Sequence, residues 1–332
     1  MSLSRPALII NTCVKSVYKL KSSRFLVRNY SNSVKMDEKS IIELTKQLAP
    51  PLTKDKHKGQ AGRVGVFGGS LEYTGAPYFA AITSLKVGAD LSHVFCAKEA
   101  APVIKSYSPE LIVHPLLDAP EAASQIEPWL DRLHVVLIGP GLGREASTFK
   151  VIDEVVEMCK VRKKPLVIDA DGLFYVSINP NVLRDYPSPV ILTPNVMEFT
   201  RLIGSNGEGN KKEQSGNFLA LAKNITILCK GHDDEIFNKE THVRVVGGGS
   251  GRRCGGQGDL LSGAVTTFLA WALEQLKPSS SCDNRPVIAS YAACKLARAC
   301  NARAFAKYAR SMTCSDMIHE IHLVFDELFE RR

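Results

Sequence analysis

From about residue 60 the chain alternates short, almost continuously apolar runs with longer stretches in which apolar residues recur at helical spacing. The runs at 64–67, 92–96, 135–138, 166–168, 190–192 and 225–228 are mostly followed by Gly, Pro, Asn or Asp. Apolar runs of that length without polar alternation predict strands buried on both faces. Helices are predicted between several of them, as at 77–88 and 147–160. Repetition of strand, helix, strand predicts an α/β fold, with a largely parallel sheet covered by helices on both sides.

Beyond Lys230-Gly231 the pattern changes. A hairpin is predicted from 235–237 and 241–246 around the polar turn 238–240, and a glycine-rich stretch at 247–258 then leads into a long apolar helix at 260–276. Two more helices are predicted at 286–307 and 315–329, and polar surface loops at 204–217 and 277–285. No internal repeat interrupts this order, so one domain from 37 to 332 is the simplest partition.

The net charge of +8 would suggest a nucleic-acid partner if it were spread over the fold. It is not: residues 1–36 carry Arg5, Lys15, Lys19, Lys21, Arg24, Arg28 and Lys35 and no acid, which leaves the remainder close to neutral. That segment is Ser-rich, basic and interspersed with apolar residues, the composition of a mitochondrial transit peptide, with a processing site expected after Tyr30. A disordered basic tail is the alternative, and a start at Met36 would give a cytosolic form. No run of about 18 apolar residues exists to span a membrane. The nine cysteines show no CxxC spacing, which fits free thiols in a reducing compartment. His319 and His322 lie three apart near Glu320, and read as a solvated helix face.

In open α/β sheets ligands bind beyond the carboxyl ends of the strands. The informative residues cluster at those ends: Gly68-Gly69, the GPGLG at 139–143, Asp169 and Asp171 in the IDADGL segment, TPNVME at 193–198, and Lys230-Gly231. There is no GxxxxGK[ST] or GxGxxG, so neither a P-loop nor a dinucleotide fold of the usual kind is supported. Asn195 and Glu198 could hold a hydrated Mg²⁺ near phosphates, or Asn195 could cap the following helix with Glu198 closing a capping box; the two roles can coexist. Asp169 and Asp171 would point to opposite faces if still on the strand, so only one is expected to reach the site. In RRCGGQGDLLSG at 252–263 the glycines can aim backbone N–H groups at an anion while the helix adds its positive end. Asp259 then stands as the base that takes a proton from an attacking hydroxyl, or as a simple helix cap.

These segments, in this order and together with KGQAGRVGVFGGSLEYTGAPYFAAITSLKVGADL and KGHDD, closely resemble the eukaryotic ATP-dependent (S)-NAD(P)H-hydrate dehydratase family, from about Lys56 to the C-terminus. The resemblance implies a ribokinase-like fold and a repair reaction in which ATP drives water out of the hydrated nicotinamide ring of NADHX or NADPHX, yielding ADP and phosphate. It implies that Gly141, Asn195, Val196, Met197, Glu198, Phe199, Thr200, Arg201 and Asp259 line the hydrated-cofactor site. By the same resemblance Lys230, Gly231, His232, Asp233 and Asp234 line the ATP site. So does the run Gly249, Ser250, Gly251, Arg252, Arg253, Cys254, Gly255, Gly256, Gln257 and Gly258, with Mg²⁺ as the expected metal. Relatives often carry His where this chain has Val196, a departure that leaves Asn195 and Glu198 in place. The family's epimerase partner is expected to be a separate protein, since residues 1–36 and a short helical lead-in leave no room for it. Assembly into a homo-oligomer is left open by the sequence. Two other readings are a small-molecule kinase of the same superfamily, which would release a phosphoester, and a nucleotide-sensing protein without turnover, against which the retained Asp259 argues.

Overall fold

The computed structural model describes residues 34–204, 224–278 and 283–330. The basic segment 1–33 with its expected processing site, most of the predicted loop 204–217 and residues 279–282 lie outside the described residues. Ten strands form one sheet: β1 (Val34–Lys35), β2 (Arg63–Phe67), β3 (Leu91–Cys96), β4 (Ile112–Pro115), β5 (Val135–Ile138), β6 (Leu166–Ile168), β7 (Val190–Leu192), β8 (Ile225–Cys229), β9 (Asp234–Phe237) and β10 (Thr241–Val245). Their order across the sheet is β1-β10-β9-β8-β7-β6-β5-β2-β3-β4. Only β9 runs against its neighbours; every other pairing is parallel. β1 pairs with β10, so the sheet begins ahead of the start at 37 expected from composition.

The predicted two-sided burial is explained by how successive residues divide between two cores. On β5, Val135 and Leu137 face one side, where the helices Gly75–Val87, Gln257–Gln275 and Arg285–Tyr308 pack. Val136 and Ile138 face the other, under Ala122–Leu130, Ala146–Val161 and Ala170–Ile178. A fully buried aliphatic side chain contributes about 1.5–3 kcal/mol, so the doubly covered central strands anchor the fold. The helix Gln257–Gln275 is drawn especially close to Gly75–Val87. A Cβ on Gly263 would lie 2.2 Å from the Ala80 carbonyl oxygen, and Ser84 Oγ donates to the Gly263 carbonyl at 3.0 Å. These contacts fix the start of that helix, and with it Asp259, relative to the sheet.

Several elements depart from expectation. The predicted C-terminal helix is two, Cys314–His319 and Ile321–Phe329, broken at Glu320, whose buried carboxylate accepts from Lys307 Nζ at 2.6 Å and Arg303 Nε at 3.4 Å. The long helix starts at Gln257 rather than 260, capped by Gly256 at φ 87°. Among the described residues no helix is long and apolar enough to cross a membrane.

Candidate active site

The sheet order reverses between β2 and β5, each of which carries a glycine turn at its carboxyl end. The two turns are stitched together: Gly69 N–H donates to the Gly141 carbonyl at 3.0 Å and Gly139 N–H to the Phe67 carbonyl at 2.9 Å. Such a switch point is where open α/β sheets place ligands. The next strand ends continue the row, with Asp169 N–H bonded to Ile138 O, Thr193 N–H to Ile168 O and Lys230 N–H to Pro194 O.

Side chains at these ends converge. Asp169, 1% exposed, follows β6 and accepts from Lys230 Nζ at 2.8 Å. Glu198 Oε2 lies 3.9 Å from the same ammonium. Burial alone would lower the Lys230 pKa, but Asp169 and Glu198 reverse that and raise it, so the ammonium is retained. Asp259 sits in the first turn of Gln257–Gln275. Burial, reinforced by the charge of Asp169 and partly offset by Lys230, raises its carboxyl to about 8. A carboxyl tuned to that range is suited to proton transfer near neutral pH. The first-turn N–H groups beside it have no partners within the helix and carry its positive end.

To one side of Asp259 opens a cavity of about 770 Å³, within the usual size for a small-molecule site. Of the residues expected at the ATP site, Lys230, Gly231, His232, Asp234, Gly249, Ser250, Gly251, Arg253, Cys254, Gln257 and Gly258 line it. Asp233, Arg252, Gly255 and Gly256 do not. Asp233 instead pairs with Arg244 on the hairpin. Arg298 and Asn301, absent from the sequence-based expectation, also line the wall. Arg298 donates to Asp234 Oδ2 at 2.7 Å, to the Gly247 carbonyl at 3.0 Å and to the Gly231 carbonyl at 3.3 Å. The Asn301 side-chain oxygen accepts from Ser250 N–H at 2.6 Å. Their sequence signal was slight: an arginine and an asparagine three apart in an alanine-rich helix.

The expected substrate segment forms the helix Val196–Leu202. Asn195 caps it, accepting from Met197 N–H and Glu198 N–H at 2.9 Å, while Glu198 Oε2 accepts from Asn195 N–H at 2.7 Å. The capping box is therefore formed. A helix turns its residues in all directions, and Phe199 departs from the expected lining: its ring is buried in the core against Phe237. Met197 is exposed, as is Arg201, and Val196 and Thr200 are partly so. Gly141 lies under the loop after β2, where a Cβ would come within 2.7 Å of the Tyr73 carbonyl oxygen. Neither Asp169 nor Asp171 is on the strand, which ends at Ile168, so strand alternation does not divide them: Asp171 lies in the first turn of the helix Ala170–Ile178 and accepts from Arg144 Nε at 2.9 Å and Gly143 N–H at 3.2 Å.

Among the described residues no cluster of three His, Cys, Asp or Glu side chains is arranged to hold a metal ion. Glu198 lies beside the cavity and Asn195 on its wall, a sparse oxygen set compatible with a hydrated Mg²⁺, since such an ion takes few protein oxygens. His319 and His322 are exposed on the surface.

Residues 64–323 match the family model described as NAD(P)H-hydrate dehydratase. A protein of Aedes aegypti named ATP-dependent (S)-NAD(P)H-hydrate dehydratase is 48% identical over 331 residues, covering 99% of this chain and 97% of its own. A Homo sapiens protein of the same name is 48% identical over 305 residues, covering 90% and 87%. Among solved structures, a ribokinase-like superfamily protein from Enterococcus faecalis superposes with a TM-score of 0.69 at 21% identity, covering 91% of this chain and 98% of its own. The ADP/ATP-dependent NAD(P)H-hydrate dehydratase of Bacillus subtilis, co-crystallized with ATP and Mg²⁺, gives 0.60 at 23% identity, covering 86% and 97%. At those identities the two structures speak to the shared fold.

Proposed function

The chain belongs to the NAD(P)H-hydrate dehydratase family, and from that premise we propose how its residues carry out the ATP-dependent dehydration of (S)-NADHX and (S)-NADPHX to NADH and NADPH, with release of ADP and phosphate. The observation that carries the mechanism is the position of Asp259, in the first turn of a glycine-capped helix, flanking the nucleotide-sized cavity and tuned to about 8. Asp259 takes the proton from the hydroxyl on the hydrated ring, and that oxygen attacks the γ-phosphorus of ATP as ADP leaves. Backbone N–H groups of Gln257 and Gly258, together with the Lys230 ammonium, stabilise the charge on the moving phosphoryl group, where one such donor elsewhere is worth about 2.7–4 kcal/mol. The ring nitrogen lone pair then expels phosphate, and loss of a proton from the adjacent ring carbon restores the double bond. Phosphorylation thus converts hydroxide, a poor leaving group, into phosphate.

Mg²⁺ bound with the triphosphate, with Glu198 and Asn195 as its protein contacts through water, would supply charge neutralisation on the phosphate oxygens. Replacing Asp259 by Asn should lower turnover by about 10²–10⁴ while ATP binding is kept. In the wild type the rising limb of kcat/KM should lie near pH 8. Turnover of the variant within a few-fold of wild type would sink the base assignment, and a stable phosphoester in place of phosphate and reduced-nicotinamide absorbance would instead identify a kinase.

Two finer readings accompany the reaction. The acid-free basic segment 1–36 supports a mitochondrial address, with a cytosolic form starting at Met36. Import assays with and without residues 1–35 test it, and equal import of both forms would overturn it. A separate protein interconverting the R and S hydrates would feed the same pathway, and accumulation of R hydrate after the S form is consumed by purified enzyme is the expected sign.

A further inference from the structure

The cavity occupies one side of Asp259, and neither Arg144, Asp171, Phe174 nor Arg201 contributes to it. If ATP fills that cavity, the dinucleotide that meets it at Asp259 has to extend the other way, over the ends of β5, β6 and β7. The dinucleotide carries a diphosphate in either form and a further 2′-phosphate in the phosphorylated one, so that side needs cations. Two stand there, brought by different elements onto one ring. Arg144, from the loop after β5, places its guanidinium carbon 4.2 Å from the centroid of Phe174. Arg201, in the last turn of Val196–Leu202, places its own 5.6 Å from the same centroid.

Phe174 is itself seated against the core, with Phe149 at a centroid distance of 6.2 Å. Asp171, one turn before it, receives Arg144 Nε at 2.9 Å and the Gly143 N–H at 3.2 Å. A guanidinium held over a ring leaves its remaining N–H donors for an anion, and the Asp171 bond engages Nε while the terminal nitrogens carry the other donors. The Arg144 side chain remains 55% exposed, so a phosphate can reach it without displacing the core. We propose that Arg144 joins Arg201, already expected at the hydrated-dinucleotide site, over the Phe174 ring to form the phosphate anchor of that site, with Asp171 as the positioning residue for Arg144. The inference rests on the dehydratase reading, since that reading supplies a dinucleotide.

The test is affinity of the full-length protein, saturated with ADP, for NADH and NADPH, measured by calorimetry. Arg144→Gln and Arg201→Gln should each raise Kd about tenfold or more, with the KM for ATP within about twofold of wild type. Equal weakening of NADH and NADPH assigns the anchor to the diphosphate, and weakening of NADPH alone assigns it to the 2′-phosphate. Arg144→Lys, which keeps the charge but not the fork, should fall between wild type and Arg144→Gln. Arg132→Gln, a cation on the separate Trp129 ring, should change nothing. Affinities within twofold of wild type in both Gln variants overturn the proposal, as does failure of the wild type to bind either dinucleotide. Turnover of hydrated NADH by the wild type is scored separately, so that its absence counts against the reaction and not against the anchor.

Discussion

Two glycine-rich regions flank Asp259, and they use the same residue for opposite reasons. At the switch point glycine is there because backbone lies on backbone. A Cβ on Gly68 would fall 2.0 Å from the Pro140 carbonyl oxygen, and one on Gly139 1.8 Å from that of Asp169. Along the nucleotide cavity the space is open: nothing lies within 4 Å of a Cβ built on Gly251, and one on Gly258 would meet only the Lys230 ammonium at 3.5 Å. The first region is closed by its own packing, so its glycines hold the strand ends in register. At Gly251 the second faces space that a ligand can fill, so a side chain there costs the fold little and a ligand much. A GxG pattern in the sequence looks the same in both.

The sharpest break of that comparison is Gly139→Ala. The site combines φ 127° with a backbone oxygen that cannot retreat without parting β5 from β6. A loss of about 3 kcal/mol or more in urea-unfolding stability is expected, accompanied by loss of soluble protein at growth temperature. A variant as stable as wild type would show that the closed turn is not closed.

Gly251→Ala should do the reverse. Stability should stay within about 0.5 kcal/mol of wild type, as for an uncrowded surface change. KM for ATP should rise about tenfold, the cost of roughly 1.4 kcal/mol of lost nucleotide contact. If unfolding stability falls and KM does not, the open region is structural as well and the contrast collapses.

How much of this the sequence could reveal follows the same division. The bounds of β5, β6 and β7 match their apolar runs residue for residue, because strands covered on both faces have no polar alternation to blur them. The edge strand β4, IVHP, is short and half covered and carries no apolar run to mark it; Ala122–Leu130 is obscured in the same way by Pro128 inside the helix. Gly258 lowers helix propensity and so points to a later start for Gln257–Gln275, whereas the left-handed cap at Gly256 sets the true boundary. Asp259 was legible from its own neighbours. Its electrostatic partners were not, since the Asp169–Lys230 pair joins residues on β6 and β8 ends that only the parallel sheet brings together. Arg298 was equally hidden, because its role is to tie the loops at Gly231, Asp234 and Gly247 from a helix far along the chain.

The smallest expected effect concerns what the open side costs the fold. The Asp259 carboxyl is raised from its ordinary value of 3.8 to about 8, mainly by burial and then by the Asp169 charge. Between those values the folded protein holds a proton that the unfolded chain gives up, so the group subtracts stability progressively as pH rises from about 4 to 8. Below 4 both states are protonated and the effect vanishes. Asp259→Asn removes it: the melting temperature of the variant should equal that of wild type near pH 4 and exceed it by a few degrees at pH 8, on the order of 2–4 °C per kcal/mol recovered for a chain of this size. Solvent reaching the partly exposed carboxyl screens the gain. Because the fold is held by the closed turns, the gain should come without any change in urea m-value, which would otherwise report a more compact or looser state. A melting temperature that falls at pH 8 in the variant would mean that the ionised carboxylate is held by Lys230 as a structural bridge, and that stability is not surrendered at the catalytic face.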